Sequence, residues 1–254
     1  MKPTCRVVVP EHVRAADLGP VTVIVNYLNG RVESLIGPAA RWWQRATSTG
    51  CADVPGVLDE EAARTLRDQL IAAGLIEPAT ADAPRSSFST FRGPPWEPSW
   101  GTQEMAAGLT ALVPAPLRTT ARAAIALAVV LVVLAAGRRR GRTARLIRLL
   151  TVAGTWARGA APAERVRSIA HAVRRAGMVV PSRVACLEES AAIVLVLASA
   201  RQRVTWCHGV AADPVRVHAW VEDALGRPVA EPPGMTARFA VLRTIPDRGE
   251  DIRQ

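Results

Sequence analysis

The sequence has no CxxC pair: its four cysteines, Cys5, Cys51, Cys186 and Cys207, are scattered at wide intervals over 254 residues. That spacing excludes a zinc knuckle and a dense disulfide framework, and it predicts reduced thiols. The N-terminal stretch holds only the short apolar run 7–9, too little for the hydrophobic region of a signal peptide, so a cytoplasmic protein is expected. The uncharged apolar run 123–136 falls short of the roughly 20 residues of a membrane span and is rich in alanine, which contributes little to insertion. Arg138, Arg139, Arg140 and Arg142 follow it like a positive-inside flank, yet its length predicts a core helix and no stable membrane insertion. Lysine is nearly missing: all but one of the 32 basic residues are arginine.

What is present is a globular composition, 49% hydrophobic with a formal net charge of +10. The charge is uneven: residues 1–80 carry −1, residues 81–183 carry +12 and residues 184–254 carry −1. A near-neutral N-terminal part argues against a nucleic-acid-binding module there, so no nucleic-acid partner is expected. The length suits two domains, each with its own core.

Along the chain, residues 6–9, 21–25 and 31–36 read as strands, the last two joined at Asn29-Gly30 in a hairpin signal. Gly37-Pro38 then opens a helix through Trp42 and Trp43, with proline where its missing N–H costs nothing. Asp59 caps a second helix, whose Ala62, Leu66, Leu70 and Ala73 recur at helical spacing until Gly74. Three strands followed by helices predict a small winged-helix-like module over residues 1–80. Proline and serine dominate much of 81–104, which reads as a linker.

Residues 105–254 are expected to form an α+β domain. Helices are predicted over 121–136, 143–156, 162–176 and 191–200, and strands over 204–210, 215–222 and 237–243.

Cys186 stands where a helix begins, and the positive end of a helix dipole with unpaired N–H groups stabilises a thiolate. His218 lies in the alternating segment 215–222, which puts His218 and Trp220 on one strand face. An imidazole beside a helix-start thiol is the pair that nucleophilic catalysis needs: it holds the thiolate and later protonates an amine leaving group. A carboxylate must fix the imidazole tautomer. Of Glu222, Asp223 and Glu231, the last is favoured, because a chain returning after the Gly226 turn brings it back beside His218. Cys207-His208 invites a metal reading, but adjacent strand residues point to opposite faces and cannot chelate together, so no metal or cofactor is expected.

The segments Cys186-Leu187-Glu188-Glu189-Ser190, Trp206-Cys207-His208-Gly209-Val210, His218-Ala219-Trp220-Val221-Glu222 and Gly226-Arg227-Pro228-Val229 together resemble the transglutaminase-like cysteine proteases of lasso-peptide biosynthesis. The order Cys, His, acid is that family's order, although its acid is usually aspartate and Glu231 stands in its place. In the first half, Asp17-Leu18-Gly19, the run 21–26, Gly30-Arg31-Val32 and Gly37-Pro38-Ala39-Ala40-Arg41-Trp42 resemble the leader-peptide recognition element of the same pathway, here fused to the protease.

The resemblance implies a transglutaminase/papain-like C-terminal domain with Cys186, His218 and Glu231 as its catalytic residues. It also implies cleavage of a ribosomally made precursor between leader and core, with an asparagine-synthetase-like lasso-peptide cyclase as partner. Leader capture by strand addition would use Tyr27, Val32 and Leu35 on the hairpin and Arg67 and Leu70 on the second helix. The competing readings are a non-catalytic peptide-binding protein and a membrane-associated scaffold of the same pathway.

Overall fold

The computed structural model describes residues 6–79, 91–92, 115–180, 184–212 and 215–248. The chain forms two units, Met1–Trp96 and Glu97–Gln254.

The first unit contains strands β1 (Val7–Val8), β2 (Val13–Asp17), β3 (Val21–Asn26) and β4 (Arg31–Ile36), helices α1 (Gly37–Thr49) and α2 (Glu60–Ala72), then β5 (Glu77–Pro78) and β6 (Phe91–Arg92). Its sheet has the order β4-β3-β2-β6, with β2, β3 and β4 antiparallel and β6 parallel to β2, while β1 pairs separately with β5. The expected strand 6–9 is therefore outside the main sheet, and Val13–Asp17 takes its place. Two alanines hide that strand from propensity, yet Val13, Ala15 and Ala16 are all buried, so packing overrides it.

Asn26 pairs with Arg31, so the hairpin connection has four residues. Asn26 and Asn29 side chains accept from the N–H groups of Leu28 and Arg31, and Gly30 supplies the positive φ of 77° that the turn requires. Pro38 stands in the first turn of α1, and the Asp59 carboxylate caps α2 by accepting from Ala62 N at 2.7 Å. Trp42 and Trp43 are fully buried in a core with Val13, Ile24, Leu70, Leu75 and Ile76. Burying each such side chain contributes about 1.5–3 kcal/mol. One expectation fails in this unit: Cys51 is disulfide-bonded, whereas Cys186 and Cys207 are free thiols. Wide spacing in sequence does not prevent a pairing that the fold brings about.

The second unit is also α+β. It contains α3 (Leu117–Ala135), α4 (Arg142–Trp156), β7 (Gly159–Ala160), α5 (Ala163–Val179), α6 (Cys186–Ser199), β8 (Gln202–Arg203), β9 (Thr205–Ala211), β10 (Arg216–Glu222) and β11 (Ala240–Ile245). The helix α6 is its centre, packed by α3, α4 and α5 and by β10. Its run of Ala191, Ala192, Ile193, Val194, Val196, Leu197 and Ala198 is buried, which explains a sequence with no polar face.

The antiparallel sheet β10-β9-β11 sets His218 opposite Gly209 and Trp220 opposite Cys207. A Cβ on Gly209 would lie 2.7 Å from the Ala240 carbonyl oxygen and 3.0 Å from the Trp220 ring, so only glycine lets that ring lie against β9. The last strand begins later than expected, because residues 236–238 form a turn of 3-10 helix.

The helix α3 is longer than its uncharged run, since Arg118, Thr119, Thr120 and Arg122 extend it backward to Leu117. It buries Ala123, Ala126, Leu127 and Val130, but only 22% of its most apolar 18 residues are buried. By length and composition alone this helix could cross a membrane. The core-helix expectation therefore describes one of its faces.

Candidate active site

Cys186 is the first residue of α6, preceded by Ala185 in extended conformation. Alanine has no side-chain acceptor, and the turn is closed from the other side: the Glu188 carboxylate accepts from Ala185 N at 3.0 Å. The half-buried thiol thus sits at the positive end of a 14-residue helix whose first N–H groups have no side-chain cap at the N-cap position.

The β10 strand brings His218 close enough to the Cys186 thiol for the two to interact electrostatically. On its other side His218 Nε2 lies 3.1 Å from Glu231 Oε2, which leaves Nδ1 as the nitrogen for sulfur. The two partners are well shielded, with side chains 13% and 12% exposed. Trp220 stacks on His218 with centroids 5.7 Å apart and planes at 16°, and Phe239 approaches the ring at 5.3 Å. Burial disfavours the imidazolium, but the hydrogen bonds and charges of Cys186 and Glu231 outweigh it and push the His218 pKa up to about 9. At neutral pH the imidazole is therefore a cation held between sulfur and carboxylate.

Glu231 reaches His218 because the chain folds back along β10: Asp223 N donates to Arg227 O, Glu222 bridges to Pro228, and Val229 N donates to Val221 O. Ala230 then turns at φ 63°, a left-handed conformation that costs a non-glycine residue energy and aims the next side chain inward. The return is three residues of pairing, Arg227 to Val229, and a kink rather than a regular strand.

The other two carboxylates are committed elsewhere. Glu222 accepts from Trp220 Nε1 at 2.8 Å and pairs with Arg248, while Asp223 accepts from Leu225 N, Arg227 N and the Arg227 guanidinium.

Arg174 on α5 was not among the residues singled out from sequence, and it joins three parts of the site. Its Nε donates to Glu189 Oε1 at 2.6 Å, its Nη2 donates to the Ala230 carbonyl at 2.9 Å, and Nη2 lies 4.0 Å from Glu231 Oε1. Glu189 stands one turn after Cys186 on α6. Its carboxyl is pushed upward by burial, against the pull of Arg174. The available signal was positional: Arg174 lies between Val173 and Ala176 at the edge of the buried stripe of α5. Phe239 was also missed, since nothing in its neighbourhood marks it apart from its size.

Cys207 and His208 take other roles. Cys207 is fully buried, and burial with the nearby Glu222 carboxylate drives its thiol far upward, so it is inert. His208 stacks on Trp206 at 5.9 Å, and burial followed by the His218 charge lowers its pKa to about 4.

The peptide-contact candidates of the first unit fare unevenly. Tyr27 and Leu70 are buried, 2% and 4% exposed, and so are packing residues rather than surface contacts, while Leu35 is partly buried against the core that holds Leu70. Strand addition would use them as contacts, but the apolar area of Tyr27 and Leu70 is already covered by the protein itself. Val32 is exposed on β4, the outermost strand of its sheet, and Arg67 pairs with its neighbour Asp68 at 2.9 Å.

Residues 128–244, a span that includes Cys186, His218 and Glu231, match the family model of the transglutaminase-like superfamily. The second unit thus carries a transglutaminase-like domain. No curated protein and no solved structure matches the chain.

Proposed function

We propose that this chain is the leader peptidase of a lasso-peptide pathway, a cysteine hydrolase that binds the leader of a ribosomal precursor and cleaves the bond between leader and core. The observation that carries this reading is the unbroken chain of contacts from Cys186 through His218 to Glu231 at the start of a buried helix.

The chemistry follows from that arrangement. The Cys186 thiolate attacks the scissile carbonyl carbon, a C–S bond forms, and the carbonyl electrons move to oxygen. The backbone N–H of Cys186, at the helix start, is placed to donate to that oxyanion. Collapse of the intermediate breaks the C–N bond as the His218 imidazolium gives its proton to the departing amine, the N-terminus of the core. Water then attacks the thioester with His218 as base and Glu231 balancing the returning imidazolium charge, which releases the leader as a carboxylate.

Arg174 is a positioning residue in this scheme: it holds the Ala230 turn and one Glu231 oxygen so that the other meets His218. Glu231, one methylene longer than the aspartate usual in the family it resembles, follows the left-handed turn at Ala230 and meets His218 at 3.1 Å.

Leader capture falls to the first unit. The outer edge of β4 offers backbone groups to an added strand, with Val32 and Ile36 exposed beside it and Arg67 on α2 as a further contact. The freed core amine is the nucleophile that an asparagine-synthetase-like cyclase consumes in ring closure, and the work is placed in the cytoplasm. The test is mass spectrometry of the cognate precursor incubated with the chain and its cyclase. Wild type yields leader and core, and Cys186→Ala yields neither while still binding the leader. Cleavage that survives Cys186→Ala overturns the reading.

A further inference from the structure

The helix α3 has two faces of different fate. Ala123, Ala126, Leu127 and Val130 are buried toward the rest of the unit. The opposite face presents Leu117, Ile125, Val129 and Val132, which are 88%, 65%, 41% and 65% exposed, with exposed alanines between them. After Arg122 this exposed stripe holds no polar side chain until Gly137. The helix is about 28 Å long at 1.5 Å per residue. An apolar stripe of this kind on a water-facing helix marks an interaction surface.

Charge identifies the partner. Exposed Arg118 and Arg122 stand at one end of the stripe, and exposed Arg138, Arg139, Arg140 and Arg142 at the other. Between Glu104 and Glu164 the chain has no acidic residue and nine arginines. A second copy of the chain is a poor occupant, because any pairing of this face with itself brings arginine clusters together. A spanning helix is equally poor, because the other face is packed against α4, α5 and α6.

We infer that α3 is a peripheral membrane-docking element: it lies in the plane of an anionic phospholipid surface, with Leu117, Ile125, Val129 and Val132 among the acyl chains and the flanking arginines on lipid phosphates. An apolar face with basic ends is the pattern that binds such an interface without crossing it. The chain would then be held at the bilayer surface. This inference stands on α3 alone and does not depend on the catalytic reading.

The test is flotation of the full chain with vesicles of phosphatidylcholine, with and without phosphatidylglycerol. The chain is expected to float with the anionic vesicles, to float poorly with the neutral ones, and to be released by salt. Arg138→Gln/Arg139→Gln/Arg140→Gln is expected to weaken partitioning on the order of a hundredfold. Ile125→Glu/Val132→Glu is expected to abolish it, with thermal unfolding as the check on folding. If the glutamate variant fails to fold, the arginine variant decides, since its side chains are exposed. Failure to float with anionic vesicles overturns the inference. So does equal binding to neutral vesicles, undiminished binding by the arginine variant, or a dimer in light scattering that Ile125→Glu dissociates.

Discussion

Replacing Glu231 by Gln keeps a side chain of the same length and removes its charge, which isolates what the carboxylate does for His218. Burial alone would lower the histidine pKa, yet it is raised from 6.5 to about 9. That rise corresponds to about 3 kcal/mol in favour of the imidazolium, at 1.36 kcal/mol per pH unit. Its sources are Cys186 and Glu231, each acting through a hydrogen bond and a charge. If Glu231 supplies about half, Glu231→Gln drops the His218 midpoint by about 1–2 pH units. The assay is an NMR titration of the histidine ring protons, with His218 assigned from a His218→Gln control. The variant is expected to lose about tenfold or more in kcat for precursor cleavage, with KM little changed, because the carboxylate acts when the imidazolium forms. An unchanged midpoint in Glu231→Gln would refute the reasoning, because the 3.1 Å contact would then carry no electrostatic weight.

Three further outcomes follow from the same geometry. Arg174→Ala is expected to reduce kcat by about ten- to a hundredfold without changing leader affinity. Arg174→Lys should fail to rescue it, since an ammonium cannot reach Glu189 and the Ala230 carbonyl with the guanidinium's planar fork; equal rescue by lysine would count against the positioning role. Stability should peak near pH 6.5 in thermal unfolding scans. The raised pKa of His218 contributes stability that is complete below about 6.5 and lost as pH rises through about 9, while His208, lowered to about 4, withdraws stability as pH falls from 6.5 toward 4. A stability profile that rises steadily from pH 6.5 to 9 would contradict this sign. Gly209→Ala should destabilise the domain by about 1–3 kcal/mol in denaturant unfolding, because its Cβ would meet a backbone carbonyl and the Trp220 ring. A neutral substitution there would mean that the Trp220 packing is looser than its contacts imply.

Much of the site could be read from residue order because its parts obey local rules. An apolar run with no polar face announced the buried α6 and its first residue Cys186, and two-residue alternation put His218 beside Trp220. Glu231 was reachable by reasoning about the turn, but the kink at Ala230 that aims it was not, since alanine carries no signal for a left-handed φ. Arg174 escaped because its contacts cross from α5 to Glu189 on α6 and to a loop 56 residues away. Sequence spacing says nothing of such contacts. In the first unit, the apolar character of Tyr27, Leu35 and Leu70 does not say whether the protein's own packing or a ligand covers them. Strand β2 was hidden by its alanines, and the expected helix 121–136 left out the first turn of α3 with Arg118, so its bare outer face with two exposed arginines at one end became visible only once its packing was known.

The central claim is that Cys186 attacks the peptide carbonyl, and the most direct measurement is capture of the resulting thioester. Precursor and cyclase are mixed with the chain, quenched in acid at the earliest times, and the intact protein is weighed and mapped by mass spectrometry. The account predicts a transient adduct of leader mass on the peptide bearing Cys186, absent from Cys186→Ala. Efficient cleavage with no adduct at any time, together with undiminished turnover by Cys186→Ala, would contradict it.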